Sequence, residues 1–225
     1  MIKIENEEVM GWEAAIRGMR NPKNSWEKSD SAFFECIDVT TSDDIARADY
    51  PKYTEPCIVI GLNDLKLMAT LRNAGTDHRK FMRMITVYLD ITAPLYWFKE
   101  FDTYKVGTVA NSCSTMHKIH SKEFTLDDFS HEQLNEKSLY MLNETVRYLN
   151  AVREAFVETK DKEYWWQMIQ LLPSSYNQRR TVMLNYEVLA NIYKSRKDHK
   201  LDEWRHFCKW IETLPYAELI TGKDD

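Results

Sequence analysis

The spacing of hydrophobic residues changes along the chain, and the change predicts strands early and helices late. In residues 84–91 every second side chain is a large aliphatic one, which is typical of a half-buried strand. In residues 131–159 the apolar positions recur at helical spacing and form one long stripe, typical of helices that pack in bundles or interfaces. The sequence therefore predicts an α+β fold.

Shorter segments follow the same rules. Residues 63–75 predict a helix capped by Asn63, because an Asn side chain accepts hydrogen bonds from the first helical turn. Residues 93–101 predict another helix, with Pro94 in its first turn. The remaining predictions are strands at 1–5 and 32–39 and helices at 11–20, 163–173, 176–196 and 202–214. No repeat or domain boundary separates these elements, so one domain spanning residues 1–225 is predicted.

One candidate for chemistry lies on the predicted helix 176–196. A narrow stripe along it, at about 100° per residue, contains Asn185, Leu189, Ile192 and Arg196. Its amide and guanidinium ends lie about 16 Å apart at about 1.5 Å per residue, which suits an extended cofactor or a cofactor beside a substrate. The stripe also suits a packing face whose polar ends reach solvent, and periodicity alone favours that interpretation.

Residues 102–120, DTYKVGTVANSCSTMHKIH, show neither period and are rich in small polar side chains. Cys113 precedes His117 by four residues and His120 by seven, which is compatible with a reactive thiolate, a metal site or solvated side chains. Solvated side chains are favoured over a metal site, because no third ligand is obvious beside the two histidines. A Cys/His pair would have to be recognised from spatial geometry, which local spacing does not give.

Composition narrows the class of protein. The 225 residues are 44% hydrophobic and carry a net charge of −5, which favours a folded chain that does not bind polymeric nucleic acid. No apolar run is long enough to span a bilayer and the first residues lack a signal-peptide pattern, so a cytoplasmic protein is expected. The four cysteines are far apart, which favours reduced thiols over a zinc site. The sequence contains no dinucleotide-binding, P-loop, zincin or nucleophile-elbow motif.

From about Asn63 to Trp210 the sequence resembles the flavin-dependent thymidylate synthases, the ThyX family. The order of motifs carries the resemblance: a helix ending in glycine, a strand, a helix opened by AP, a serine-containing loop, an LP pair and a late helix. Here they read LMATLRNAG, MITVYLDIT, APLYWFKEF, DTYKVGTVANSCS, LLPSSY and NYEVLANIYKSR. The resemblance implies a small central antiparallel sheet with long helices, and residues 22–62 look like an insertion relative to the family.

The late helix keeps the polar positions of the family. Asn185 lies twelve residues after Pro173, Asn191 lies six residues further on, and Arg196 follows five residues later. The resemblance implies that Asn185 and Asn191 bind FAD. It also implies that Arg196 binds the pyrimidine of the substrate and acts as the catalytic residue.

The serine-containing loop aligns with an Arg-His-Arg motif of the family and with the segment after it. Tyr104 and Lys105 stand at the last two positions of that motif, so the resemblance implies that they bind the cofactor. Ser112 or Ser114 stands where the family has a serine, and with Asn111 would bind the nucleotide. The family transfers a methylene group from methylenetetrahydrofolate to C5 of dUMP and reduces it with FAD and NADPH, in homotetramers with sites between subunits.

Several family cations are missing from this sequence. Neutral or acidic residues replace them at Thr103, Tyr104, Thr115 or Met116, Ile169 and Glu187. Because a phosphate needs charge-assisted donors, other cations would have to compensate. The candidates for that compensation are Lys99, Lys118, Arg179 and Arg180.

Three functions stay open at this point. The first is a flavin-dependent thymidylate synthase or a close relative acting on dUMP or a related pyrimidine nucleotide. The second is a ThyX-fold protein that binds a nucleotide or flavin without making thymidylate, so enzymatic activity is left open. The third is a helical interaction protein in which residues 102–120 are only a connector.

Overall fold

A computed structural model of the chain describes residues 2–34 and 57–222. In chain order its strands and helices are β1 (Lys3–Met10), α1 (Trp12–Arg20), β2 (Ala32–Phe34), β3 (Cys57–Val59), α2 (Leu62–Asn73), β4 (Thr86–Pro94), α3 (Leu95–Phe101), β5 (Val109–Ser112), α4 (Glu136–Thr159), α5 (Lys162–Leu171), β6 (Asn177–Asn185), α6 (Tyr186–Arg196), α7 (Asp202–Ile211) and α8 (Glu218–Thr221). A 3-10 turn, Arg79–Arg83, precedes β4. Within the described ranges, no helix is long and apolar enough to cross a bilayer.

The strands form a small antiparallel sheet in the order β1-β4-β6-β5 and a separate antiparallel pair, β2 with β3. β5 pairs with β6 so that Val109 lies opposite Met183 and Ser112 lies opposite Arg180. In the described part of the chain β5 is an edge strand, and all its residues are exposed. The predicted α+β class, with a small antiparallel sheet and long helices in a single domain, is confirmed.

The described residues group into two compact units, each built from separated segments of the chain. The first unit takes the described residues of Met1–Asn6, Leu89–Met183 and Arg196–Lys209. The second takes those of Glu7–Tyr88, Leu184–Ser195 and Trp210–Asp225. The domain limits at 1–225 and the insertion at 22–62 stay predictions, and residues 35–56 lie outside the described part.

Two apolar clusters stabilise the first unit. In one, the apolar stripes of α4 and α5 pack together, with Leu149 and Met168 fully buried. The other is aromatic: the Trp97 ring of α3 stacks on Phe101 and lies 4.7 Å, centroid to centroid, from the Trp204 ring of α7. Burying a large apolar side chain contributes about 1.5–3 kcal/mol, so this cluster holds α3 and α7 firmly together.

Gly11 determines where α1 begins in the second unit. Its φ is +93°, and a Cβ atom there would lie 2.1 Å from the backbone oxygen of Met84. Glycine alone satisfies both the positive φ and this close approach. The helix that follows buries Ile16 and Met19 and ends at Arg20.

Arg20 forms a buried ion pair with Asp64 of α2. The Nε atom of Arg20 donates to Asp64 Oδ1 at 2.6 Å, and both side chains are almost fully buried. Asp64 Oδ2 accepts from the hydroxyls of Ser29 and Ser31 at 2.7 Å each and from the backbone N–H groups of Asp30 and Ser31 at 3.2 Å each. One carboxylate therefore joins the end of α1, the loop at 29–31 and the start of α2.

The predicted Asn63 cap of α2 is wrong. α2 starts one residue earlier, and the carboxylate of Asp30 accepts from the backbone N–H groups of Asn63 and Asp64 at 3.0 and 3.1 Å. Gly61 precedes the helix, and a Cβ there would lie 2.2 Å from the Asp30 carboxylate. A cap supplied from a distant loop leaves no local sequence signal.

The predicted helix at 176–196 is wrong in its first half. Residues Asn177–Asn185 form strand β6, and the helix begins only at Tyr186. The burial of Gln178, Val182 and Leu184 follows the two-residue period of a strand. A single helical period assumed for the whole segment 176–196 does not show this change. The segment 102–120, predicted to lack a period, contains the short strand β5.

Candidate functional site

Asn185 closes β6 and starts α6. Its side-chain oxygen accepts a hydrogen bond from the backbone N–H of Val188 at 3.0 Å, and the residue is only 8% exposed. This is the geometry of a helix N-cap, which satisfies one of the free N–H groups of the first turn. The sequence predicted that Asn185 lies on a helical stripe, and this prediction is wrong. Asn185 lies at the junction between the end of β6 and the start of α6.

Glu187, the second residue of α6, is buried and paired with two arginines of the second unit. The Nε atom of Arg79 donates to its Oε1 at 3.1 Å. Arg83 donates to it twice, from Nε to Oε2 and from a terminal nitrogen to Oε1 at 3.3 Å. Burial would raise the pKa of Glu187, but the hydrogen bonds and charges of Arg83 and Arg79 lower it overall, so the carboxylate is ionised.

Asn191 belongs to the same group of contacts. It is exposed on α6, and its side-chain oxygen accepts from a terminal nitrogen of Arg79 at 3.1 Å. Arg79 thus bridges Glu187 and Asn191, and its side chain is 19% exposed. The second unit therefore presents two amides, one carboxylate and two guanidinium groups along the first turns of α6.

Arg196, the last residue of α6, lies in a second group of contacts, within the first unit. Its Nε donates to the Tyr104 hydroxyl at 3.0 Å, and a terminal nitrogen donates to Glu100 Oε1 at 3.1 Å. Its guanidinium carbon lies 5.0 Å from the centroid of the Trp204 ring, within cation–π range. The side chain keeps 19% of its surface exposed, so the guanidinium is held from several sides yet accessible to a ligand.

Glu100 holds this second group together. Its Oε2 accepts from the indole N–H of Trp204 at 2.6 Å, while Oε1 accepts from Arg196. The Nε2 atom of His199 lies 3.7 Å from Oε2. The Glu100 carboxylate of α3 therefore fixes, with its two oxygens, the guanidinium at the end of α6 and the indole of α7.

The other residues predicted in the loop are placed more loosely. Lys105 is exposed, and Asn111 and Ser112 lie on the exposed edge strand β5. The hydroxyl of Ser114 accepts from the backbone N–H groups of Met116 and His117 at 3.2 and 2.9 Å. Ser114 therefore stabilises a turn.

Cys113 and the two histidines of the loop have different surroundings. The Cys113 thiol is free and exposed. His117 is exposed, while the His120 ring packs edge-on against Phe156 at 4.8 Å. In the described part of the chain, no three His, Cys, Asp or Glu side chains are grouped as metal ligands.

Two of the cations considered as replacements already have carboxylate partners. Arg179 donates to Asp90 at 2.7 Å, and Arg180 donates to Asp102 at 2.6 Å. The hydrogen bond from Thr181, followed by those from Arg179 and Asn6, lowers the pKa of Asp90 to about 2.

The remaining positions in this comparison are Ile169, which replaces a family arginine, and the candidate cations Lys99 and Lys118. Ile169 is partly buried and packs against the α4–α5 core as an apolar side chain. Lys99 and Lys118 are exposed.

A scan against protein-family models and a search of curated proteins found no match to this sequence. Solved structures do match. A ThyX flavin-dependent thymidylate synthase from Helicobacter pylori, complexed with FAD and dUMP, aligns with a TM-score of 0.63 over 97% of each chain, at 16% identity. A second structure of that protein with FAD and dUMP gives the same TM-score and identity over 98% of this chain and 97% of the other. This chain has the ThyX fold.

A related methylase has the same fold. The UMP/dUMP methylase PolB from Streptomyces cacaoi, bound with 5-Br dUMP, aligns with a TM-score of 0.61 over 99% of this chain and 94% of the other, at 10% identity. The ThyX-like fold predicted from the motif order is therefore confirmed over nearly the whole chain.

The side chains present fit the ligands that the resemblance implies. The first turns of α6 carry the amides of Asn185 and Asn191, which are groups able to hydrogen-bond a flavin ring, and Arg79 contacts Asn191 with its positive charge. In the other unit, the group around Arg196 combines a guanidinium with aromatic rings, which suits a planar heterocycle with carbonyl oxygens.

Three residues of the ThyX-fold chain were missed by sequence reasoning: Arg79, Arg83 and Glu100. The first two stand in a basic run, HRKFMR, directly before β4, and that run was a usable signal. Glu100 gave none, because an acidic residue near the end of an amphipathic helix is ordinarily solvated. Its contacts with Arg196 and Trp204 arise only in the folded chain.

Proposed function

We propose that this chain binds FAD and a pyrimidine nucleotide and methylates the pyrimidine reductively at C5, with dUMP or a closely related nucleotide as the substrate. The observation that carries the proposal is the set of contacts around Arg196. At the position that the resemblance assigns to the pyrimidine, a guanidinium is oriented by Glu100, Tyr104 and Trp204 and remains partly exposed. The match of the whole chain to structures bound to dUMP and 5-Br dUMP supports it.

Arg196 has the chemical role that this reaction requires. For C5 to act as the nucleophile toward the methylene carbon, the pyrimidine ring has to carry negative charge on its ring nitrogen and carbonyl oxygens. A fixed guanidinium stabilises that charge better than a mobile one. Glu100 and Tyr104 act on Arg196 as positioning residues, since each takes one of its N–H groups. The N–H groups that they leave unused are available to a ring carbonyl.

The remaining assignments belong to the same proposal. Asn185, Asn191, Tyr104 and Lys105 hold the flavin, and Asn111, Ser112 and Ser114 lie along the nucleotide. Bound flavin, once reduced by NADPH to FADH2, would supply the hydride that reduces the transferred carbon. Methylenetetrahydrofolate as the carbon donor, NADPH as the reductant, a homotetramer with sites between subunits and a cytoplasmic location complete the proposal, as the resemblance implies.

Two measurements on the purified full chain test the proposal. The visible absorption spectrum, recorded before and after adding FAD and again after gel filtration, should contain flavin bands. Tritium release from 5-tritiated dUMP, with FAD, NADPH and methylenetetrahydrofolate present, should report the reaction at C5. A chain that retains no flavin and releases no tritium would contradict the proposal.

A matched pair of variants tests the role of Arg196. Arg196→Ala should weaken dUMP binding by about tenfold to 100-fold, because a charged hydrogen bond is worth about 1.5–3 kcal/mol, with little effect on FAD binding. Arg205→Ala removes the same charge from an exposed ion pair with Asp202 on α7 and should leave dUMP binding unchanged. Equal loss of FAD and dUMP binding in Arg196→Ala would remove the pyrimidine role from this residue.

The second candidate is a ThyX-fold protein that binds a nucleotide or flavin without making thymidylate. Glu187 favours it, because a buried carboxylate stands where the family has an arginine. The engagement of Arg179 and Arg180 with Asp90 and Asp102 also favours it. Retained flavin or dUMP binding without tritium release would select this candidate.

A further inference from the structure

Two arginines lie against one buried carboxylate at the start of α6. Glu187 is 7% exposed, and both Arg79 and Arg83 donate to it. Two guanidinium groups and one carboxylate leave the group with a net charge of +1. Asp77 attracts Arg83 more weakly than Glu187 does. The single carboxylate of Glu187 therefore does not neutralise both guanidinium groups.

Both guanidinium groups keep donors for another ligand. A guanidinium has five N–H groups. Arg79 uses one toward Glu187 and one toward Asn191, and Arg83 uses two toward Glu187. In contacts with the described residues, each arginine therefore keeps three N–H groups, including both on its Nη1 nitrogen.

Arg83 and Arg79 differ in how much of each side chain an anion from solvent can reach. The Arg83 side chain is 52% exposed, so an incoming anion reaches it directly. Arg79 is 19% exposed and is held at two points, by Glu187 and Asn191. Glu187 fixes both guanidinium groups before any ligand arrives, which reduces the entropy lost when an anion is bound.

We infer that Arg79 and Arg83 form a phosphate-binding pair beside Asn191, suited to the diphosphate of a dinucleotide. Arginine binds phosphate oxygens in pairs of parallel hydrogen bonds, and two arginines suit two linked phosphates. The inference rests on the proposed function in one respect, which is that the diphosphate belongs to FAD. The family has an arginine where this chain has Glu187. The inference assigns that missing positive charge to Arg79 and Arg83, in the turn before β4.

The first test is isothermal titration calorimetry of the full chain with inorganic pyrophosphate. Arg83→Gln should weaken binding by about tenfold or more, the loss expected for one charged hydrogen bond. Arg17→Gln is the matched control, because it also removes one positive charge from an ion pair with a glutamate, Glu13 on α1, and should bind as the wild type does. Arg83→Lys keeps a cation for Glu187 and should bind more tightly than Arg83→Gln.

The second test separates this inference from the proposed function by titrating FAD and riboflavin against the visible spectrum. Riboflavin has the flavin ring but no phosphate, so the wild type should prefer FAD and Arg83→Gln should lose that preference. Equal binding of both flavins, with pyrophosphate binding unaffected by Arg83→Gln, would overturn the inference and leave a flavin-binding function standing. Pyrophosphate binding that depends on Arg83, without binding of either flavin, would support the pair and contradict the proposed function. A wild type that binds no pyrophosphate and does not prefer FAD overturns the inference.

Discussion

Replacing Asp64 with asparagine should destabilise the protein by about 3–5 kcal/mol, the cost of leaving a buried ion partner unpaired. Asp64 and Arg20 are 0% and 3% exposed, so water cannot replace the lost interaction. The carboxylate accepts hydrogen bonds at both oxygens, and asparagine offers an acceptor at only one position.

Both orientations of the new amide fail. If its nitrogen replaces Oδ2, it faces the backbone N–H groups of Asp30 and Ser31, which are donors themselves. If it replaces Oδ1, it faces the Nε–H of Arg20. Each orientation therefore leaves buried donors without acceptors, in addition to the uncompensated charge of Arg20.

The assay is urea unfolding at pH 7, monitored by tryptophan fluorescence and far-ultraviolet circular dichroism. The free energies of unfolding of wild type and variant are compared where both show the same dependence on urea concentration. Glu13→Gln is the control, because it breaks an exposed ion pair with Arg17 on α1 and should change stability by no more than about 0.5 kcal/mol. A loss below about 1 kcal/mol in Asp64→Asn would refute the reasoning from burial and donor count.

The other predictions concern the site and the sheet. Tyr104→Phe should weaken dUMP binding about twofold to tenfold, because Arg196 loses one oriented contact worth about 0.5–1.5 kcal/mol; calorimetry measures it, and an unchanged affinity would exclude Tyr104 as a positioning residue. Asn185→Ala should lower stability in urea by about 0.5–2 kcal/mol through the lost N-cap and also reduce retained flavin, whereas unchanged flavin content would remove Asn185 from the flavin site. Asp90 has its pKa lowered from 3.8 to about 2, so its contribution to stability is present above pH 4 and lost as the pH falls toward 2. The difference in Tm between wild type and Asp90→Asn should shrink over that range, and a difference independent of pH would contradict the assignment.

The sequence predicted elements well where one period ran through a whole segment. The alternation in residues 84–91 and the stripe in residues 131–159 each predicted the correct type of element, β4 and α4. The segment 176–196 failed because two periods adjoin without a break. Asn185 is both the last residue of β6 and the N-cap of α6, so no glycine, proline or loop marks the change from strand to helix.

The site was only partly accessible to sequence reasoning. The intervals between Asn185, Asn191 and Arg196 could be compared with the family because they are local in the sequence, but they did not show that the helix begins only at Tyr186. The partners of these residues are not local. Arg79 and Glu100 stand far away in the chain, and their contacts depend on how the strands and helices bring distant segments together.

The interleaving of the first unit has a consequence for synthesis on the ribosome. Trp97 is made early, but its partner Trp204 belongs to α7, near the end of the chain, and Arg196 reaches Glu100 only at that late stage. Contacts of such long sequence separation form slowly and cannot form in a nascent chain that lacks α7. We therefore expect translation products that stop before Asp202 to expose the aromatic cluster and to depend on chaperones. A stop codon just before Asp202 should then be nearly as damaging as one before Trp97.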